Sequence, residues 1–260
     1  MKSKRTGLGA AAGAAMFLTW AAWLGLSQAG AADLDPKQLS RELDRLYRSE
    51  SSQGLVVMKV KTAHYQRELK MKIWTKGLDY TLVRILTPRK EKGTATLKRK
   101  NEMWNYLPKI GKTIRIPPSM MMNSWMGSDF TNDDLVKETS WEEDYNVSLN
   151  PAPPPGQIGL VYVPKEDAAV TWSKVVTFLD EKSRLPVSQE YCDEKGVKVR
   201  VMDVSQVRNL GGRTLPAKMV LTPLTEDKKG NRTELIYQEL EFDVELEDDL
   251  FSLSNLRRGR

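Results

Sequence analysis

The stretch from Met103 to Tyr145, MWNYLPKIGKTIRIPPSMMMNSWMGSDFTNDDLVKETSWEEDY, decides how the rest of the chain is read. It begins as a strand, with Trp104 and Tyr106 on one side of an alternating run that ends at Pro108. A basic turn leads into Ile114-Arg115-Ile116, whose isoleucines again share a side, and Pro117-Pro118 stops the run. Five soft apolar side chains then fall within seven residues: Met120, Met121, Met122, Trp125 and Met126. A Met- and Trp-rich loop beside strands makes a poor rigid core but a good adaptable apolar surface, because thioether chains re-pack at low cost. Gly127-Ser128-Asp129-Phe130 follows, then a polar segment that reads as helical from Phe130 to Tyr145. Thr131 or Asn132 can cap that helix, with Asp133 and Asp134 in its first turn.

Working outward, the period of two extends back to Leu55. Val56, Met58 and Val60 alternate with Val57, Lys59 and Lys61; Leu69, Met71 and Ile73 with Lys70 and Lys72; Thr81, Val83 and Ile85 with Leu82, Arg84 and Leu86. Breakers at Lys76-Gly77, Pro88 to Gly93, Lys100-Asn101 and Lys109 to Lys112 separate the runs, as in an antiparallel meander. Beyond the stiff loop Asn150 to Gly156, strands resume at 158–163, 174–180, 187–192, 197–204, 215–222 and 233–242. Before the meander, Asp35 and Pro36 open an amphipathic helix with Leu39, Leu43, Leu46 and Tyr47 on its apolar side. The tail from Leu246 to Leu256 carries enough leucine and phenylalanine to dock on the body. The expected fold is mainly β (α+β): an incomplete antiparallel β-barrel of about ten or eleven strands, with helices forming a lid at its mouth.

Residues 1–32 carry an address. Lys2, Lys4 and Arg5 precede an uncharged stretch from Thr6 to Leu26, and small residues at Ala29-Gly30-Ala31-Ala32 suit cleavage before Ala32 or Asp33. This is the pattern of a secretory signal, with an uncleaved membrane anchor as the alternative. Residues 33–260 are then one exported domain, expected in the periplasm. The segment holds three of the 40 lysines and arginines and none of the 34 acids, so the remainder has a formal charge of only +3. Such a balance gives no footprint for nucleic acid.

Catalytic chemistry finds no foothold. His64 is the single histidine and reads as an exposed turn residue; Cys192 is the single cysteine and reads as a buried strand thiol. Neither stands at metal-ligand spacing to the other, and there is no nucleophile elbow or phosphate loop. Adjacent acids such as Asp133-Asp134 and Glu142-Glu143 fit helix ends and solvated faces. The chain is therefore expected to be no enzyme and to need no cofactor or metal. What remains is an apolar ligand. Trp74, Trp104, Tyr106, Ile114 and Ile116 are expected to line a cavity, with Met120, Met121, Met122, Trp125, Met126 and Phe130 folding over it. Arg115 and Asp129 are expected to pair as a polar latch at its mouth.

Several of these residues form a familiar set. Trp104-x-Tyr106-x-Pro108, Arg115-Ile116, Met126-Gly127-Ser128-Asp129-Phe130 and Asp133-Asp134-Leu135 resemble the LolA-like outer-membrane lipoprotein-sorting proteins. Leu185-Pro186, Tyr191, Gly196, Leu215-Pro216 and Phe251-Ser252-Leu253 extend the resemblance over nearly all of residues 33–260. It implies a half-barrel wrapped over a hydrophobic cavity with helices as a lid. It also implies a periplasmic carrier that takes the acyl chains of lipoproteins or other lipids from an inner-membrane ABC or RND-type permease. An outer-membrane acceptor would receive the load. The Met-rich loop and greater length depart from LolA itself, which leaves a phospholipid or hopanoid as possible cargo beside a lipoprotein. The other reading of the same fold is an envelope sensor or adaptor that binds a protein partner.

Overall fold

The computed structural model describes residues 34–136, 141–168 and 170–258. The expected secretory segment, residues 1–32, lies outside the described residues. Helix α1 spans Pro36–Tyr47. Asp35 caps it by accepting from the Lys37 amide at 2.9 Å, and Pro36 occupies the first turn, where a missing N–H costs nothing. At its other end the Arg213 guanidinium donates to the carbonyls of Arg45 and Arg48 at 2.7 and 2.6 Å, which satisfies groups a helix end leaves open.

The strands are β1 Ser51–Lys61, β2 Gln66–Lys76, β3 Tyr80–Thr87, β4 Ala95–Arg99, β5 Glu102–Leu107 and β6 Lys112–Ile116. After a long connection come β7 Tyr145–Leu149, β8 Gln157–Pro164, β9 Lys174–Asp180, β10 Pro186–Cys192, β11 Lys198–Leu210, β12 Arg213–Pro223 and β13 Arg232–Phe242. Among the described residues they form one antiparallel sheet in the order β6-β5-β4-β3-β2-β1-β13-β12-β11-β10-β9-β8-β7. Strands β6 and β7 end the sheet and do not pair with each other, so the barrel is incomplete, as expected. The two meanders meet where β1 pairs with β13.

Two of the thirteen strands are beyond the eleven runs read from sequence. In β4, Ala95, Thr96, Leu97 and Lys98 are all buried, so both faces are covered and no alternation marks the strand. In β7, Tyr145 and Val147 do alternate with Asn146 and Ser148, but the helical pattern before them hides the change of period. The expected helix from Phe130 to Tyr145 is instead α2 Asn132–Val136 and a single turn, α3 Trp141–Asp144. Thr131 is the cap of α2. Its hydroxyl accepts from the Asp134 amide at 3.1 Å while the Asp134 carboxylate accepts from the Thr131 amide at 2.8 Å, a reciprocal capping box.

Register divides the side chains between an inner and an outer face. Following the paired residues, Ile85, Met71, Val56, Tyr237 and Lys218's neighbour Met219 belong to rows on the face that α1 and the β6–β7 connection cover. Leu82, Leu97 and Trp104 form a row on the other face, covered by the C-terminal segment with helix α4, Leu253–Arg258. Phe251 and Leu256 are buried there against Leu82, Ala95 and Leu97, and Arg84 donates to the Asn255 carbonyl at 3.1 Å.

Candidate functional site

The described parts of the β6–β7 connection, residues 117–136 and 141–144, lie across the inner face as a strap, and their polar groups show how it is held. Trp125 is 2% exposed, and its indole N–H donates to the Thr96 hydroxyl on β4 at 3.1 Å. It sits in a cluster with Met58, Leu69, Met71, Val83 and Met103, against which Ile116, Met121, Met126 and Phe130 also pack. Gly127 has φ +65°, and a Cβ there would lie 2.9 Å from the Tyr65 hydroxyl, so the position requires glycine. Ser128 donates to the Trp125 carbonyl at 2.7 Å and closes the turn. Asp129 is buried and accepts from the Thr233 hydroxyl on β13 at 2.7 Å. The Gly-Ser-Asp-Phe block is thus a clamp that ties the strap to both halves of the sheet.

The far end of the strap is tied to β11. Asp134 accepts two hydrogen bonds from the Arg200 guanidinium, at 2.8 and 2.6 Å. That guanidinium stacks on Trp172 and Tyr191, 4.1 and 4.2 Å from the ring centres. The neighbouring Asp133 accepts from Thr171. Burial alone would lower the Arg200 pKa, but the Asp134 carboxylate beside it holds it above the ordinary value. Burial pushes the adjacent Tyr191 up to about 12.

Between strap, α1 and sheet lies a cavity of about 740 Å³. Its walls are Met71, Ile73 and Val83 from one half of the sheet, Met202, Met219, Leu235 and Tyr237 from the other, and Leu43 and Tyr47 from α1. Leu135 and Trp141 close it from the strap. Two smaller cavities adjoin it, of about 310 and 160 Å³. Trp141, Met202 and Met219 line all three, so one aromatic ring and two flexible thioethers are among the walls they share. The largest cavity falls in the roughly 300–1,000 Å³ range of small-molecule sites, and adaptable walls let its shape follow a flexible guest.

The sequence-selected residues divide sharply against this geometry. Trp125 lines the two larger cavities and Phe130 the second. Ile116, Met121 and Met126 pack against the inner cluster beneath the strap. Met120, Met122 and Ile114 are exposed, at 43, 51 and 42%. Trp74, Trp104 and Tyr106 are on the outer face, packed with the C-terminal segment and away from the cavity. Strand parity explains the last result: Met103 pairs with the inner Ile116, which turns Trp104 and Tyr106 outward. The same parity corrects the expected latch. Arg115 stands opposite Trp104 on the outer face and pairs with Glu102, while Asp129 is tied to Thr233 inside. The ion pair that the structure does show on the strap is Asp134–Arg200.

The principal walls that sequence reading missed are Met202, Met219, Leu235 and Tyr237. Each occupies an ordinary apolar place in an alternating strand. Only the register between distant strands shows that methionines from β2, β11 and β12 meet in one space. His64 is exposed in the turn after β1, and Cys192 is buried and free. Among the described residues no group of His, Cys, Asp and Glu is arranged to hold a metal ion, and no helix is long and apolar enough to cross a membrane.

The fold is shared with solved proteins. A DUF1329 family protein from Desulfovibrio piger superposes with TM-score 0.73 at 23% identity, covering 86% of this chain and 100% of its own. A domain from Vibrio parahaemolyticus assigned to outer membrane lipoprotein sorting gives 0.71 at 22% identity, over 85% of this chain and 97% of its own. A LolA superfamily protein from Nitrosomonas europaea gives 0.71 at 18% identity, over 85% and 99%. Among curated proteins none matches. A family model described as "Uncharacterized protein" matches residues 77–258.

Proposed function

We propose that this chain, which belongs to the family matched over residues 77–258 and has the LolA-superfamily fold, is a non-catalytic periplasmic carrier of acyl chains. The observation that carries the reading is the mainly apolar cavity of about 740 Å³ that lies between the sheet, α1 and a strap with its own polar fastenings. Each buried methylene is worth roughly 0.8 kcal/mol, so acyl chains do not cross an aqueous compartment unshielded. A carrier must also release them, which favours a deformable wall over a rigid one. Met202, Met219 and Trp141 supply that wall. The secretory pattern of residues 1–32 supports the periplasmic setting, as does the sorting role assigned to the Vibrio relative. Lipid or lipoprotein acyl chains are the cargo, an inner-membrane ABC or RND-type permease the donor, and an outer-membrane site the acceptor.

Mass spectrometry of the protein purified from the periplasm without detergent tests this. A defined lipid or lipopeptide at near-equal molar ratio is the expected result. An empty protein that also refuses a fluorescent fatty acid, yet captures one protein partner stoichiometrically, would replace the carrier with an envelope sensor or adaptor.

A further inference from the structure

The cavity of about 310 Å³ differs from the larger one in holding charge. Arg48, Asp133, Asp134 and Arg200 line it beside Trp172 and Tyr191. Arg200 is only 7% exposed. Trp172 and Tyr191, themselves edge to face with centres 5.3 Å apart, pack against its guanidinium, two of its nitrogens hold Asp134, and its buried Nε has no hydrogen-bond partner. Tying down a strap does not call for such a group, since apolar packing in place of a buried ion pair is often as stable. A buried planar fork fixed against an aromatic pair is, however, a prepared receptor for any carboxylate or phosphate. Its present occupant belongs to the strap, on a helix of one and a half turns.

We propose that Arg200 is the head-group site of the carrier, and that the cargo is an amphiphile whose carboxylate or phosphate monoester takes the place of the Asp134 carboxylate. The inference rests on the carrier reading and names the class of its cargo. Arg48, already paired with Asp44 at 3.6 Å, adds positive charge at the junction with the larger cavity, where the acyl chain would lie. Asp133, bonded to Thr171, repels a second anion beside the pair, so the anion exchanges with Asp134 and does not join it. Exchange frees the far end of the strap. By linkage, anion binding and strap opening favour each other, and reclosure of Asp134 on Arg200 expels the head group. One side chain thereby serves both loading and release.

Titration of the purified protein with oleate, oleoyl lysophosphatidic acid and monooleoylglycerol by calorimetry tests the proposal. The two anions are expected to bind at least tenfold more tightly than the neutral glyceride, and their order identifies the carboxylate or the phosphate as the preferred head. Arg200→Gln is expected to abolish the preference, bringing the three ligands within about twofold of one another. Asp134→Asn, which keeps the cap but removes the competing charge, is expected to strengthen anion binding severalfold, and it decides the matter if Arg200→Gln does not fold. Equal affinity for all three ligands, or an Asp134→Asn protein with unchanged anion affinity, overturns the head-group site and leaves the carrier intact. Failure to bind any of the three overturns both.

Discussion

The two faces of this sheet are built from the same kinds of residue and end in opposite states. The outer face presents Leu82, Leu97, Trp74, Trp104 and Tyr106, and the C-terminal segment fills it with Phe251 and Leu256. The inner face presents Met71, Ile73, Met219 and Leu235, and its cover leaves about 740 Å³ open. The difference lies in how each cover is attached. The tail is bonded by Arg84 at the Asn255 carbonyl, but its apolar side chains also fill the face they cover. The strap is pinned by polar contacts, Trp125 to Thr96, Asp129 to Thr233 and Asp134 to Arg200, and need not fill the space it spans. Aromatic content therefore does not distinguish a pocket from a core; the chemistry of the lid does.

Substitutions that respect one face and damage the other test this contrast. Phe251→Ala on the outer face is expected to cost about 3–5 kcal/mol, read from denaturant unfolding, while the folded fraction binds acyl ligand normally. Met219→Asp on the inner face is expected to do the reverse: ligand affinity falls at least tenfold while the unfolding midpoint moves little. Equal losses of both properties in both variants would erase the distinction between the faces.

A subtler variant separates cover from cavity. Asp129→Ala leaves the buried Thr233 hydroxyl without its acceptor and is expected to cost about 1–3 kcal/mol. Amide exchange should quicken along the strap and stay unchanged in β1 to β3. Uniformly faster exchange would mean that the strap is part of the sheet's own cooperative unit.

Alkali probes the helical side of the inner face. Burial raises the pKa of Tyr47, which donates to the Pro216 carbonyl at 2.6 Å, and pushes Tyr162, bonded to Ser40 at 3.1 Å, up to about 12. Both groups favour the folded state while neutral. Their contribution is complete below the ordinary tyrosine value of 10.0 and is lost as pH climbs from there toward 12. The melting temperature should fall across that window, with α1 leaving first. A flat profile to pH 12 would show that these hydroxyls are not held neutral by the fold.

Arg115→Ala should do least. The Arg115–Glu102 pair is exposed, and such pairs are worth about 0–1 kcal/mol. Ligand uptake should not change. A marked effect on loading would restore Arg115 to the mouth of the cavity.

The sequence made the architecture legible because periods of two and 3.6 are properties of single segments. Asp35-Pro36 marked α1, the Met71 and Val83 runs marked their strands, and the Gly-Ser-Asp-Phe block marked the strap. Alternation also showed that Trp104 and Tyr106 share a face. It did not show which face, because both are buried and a one-residue change of phase exchanges them. Met103, one position away, was the inner residue. The Arg200 site was illegible for a related reason. Its partners Asp134, Trp172 and Tyr191 come from the strap, a loop and β10, and only the closed arrangement brings them together.

The central claim, that the inner face is the ligand face, is tested most directly by photocrosslinking. The protein would be loaded with a palmitate analogue carrying a diazirine in its chain, irradiated, digested and mapped by mass spectrometry. The account predicts adducts on Met71, Met202, Met219, Leu235 and Tyr237. Adducts confined to Trp74, Trp104 and Tyr106, under the C-terminal segment, would contradict it.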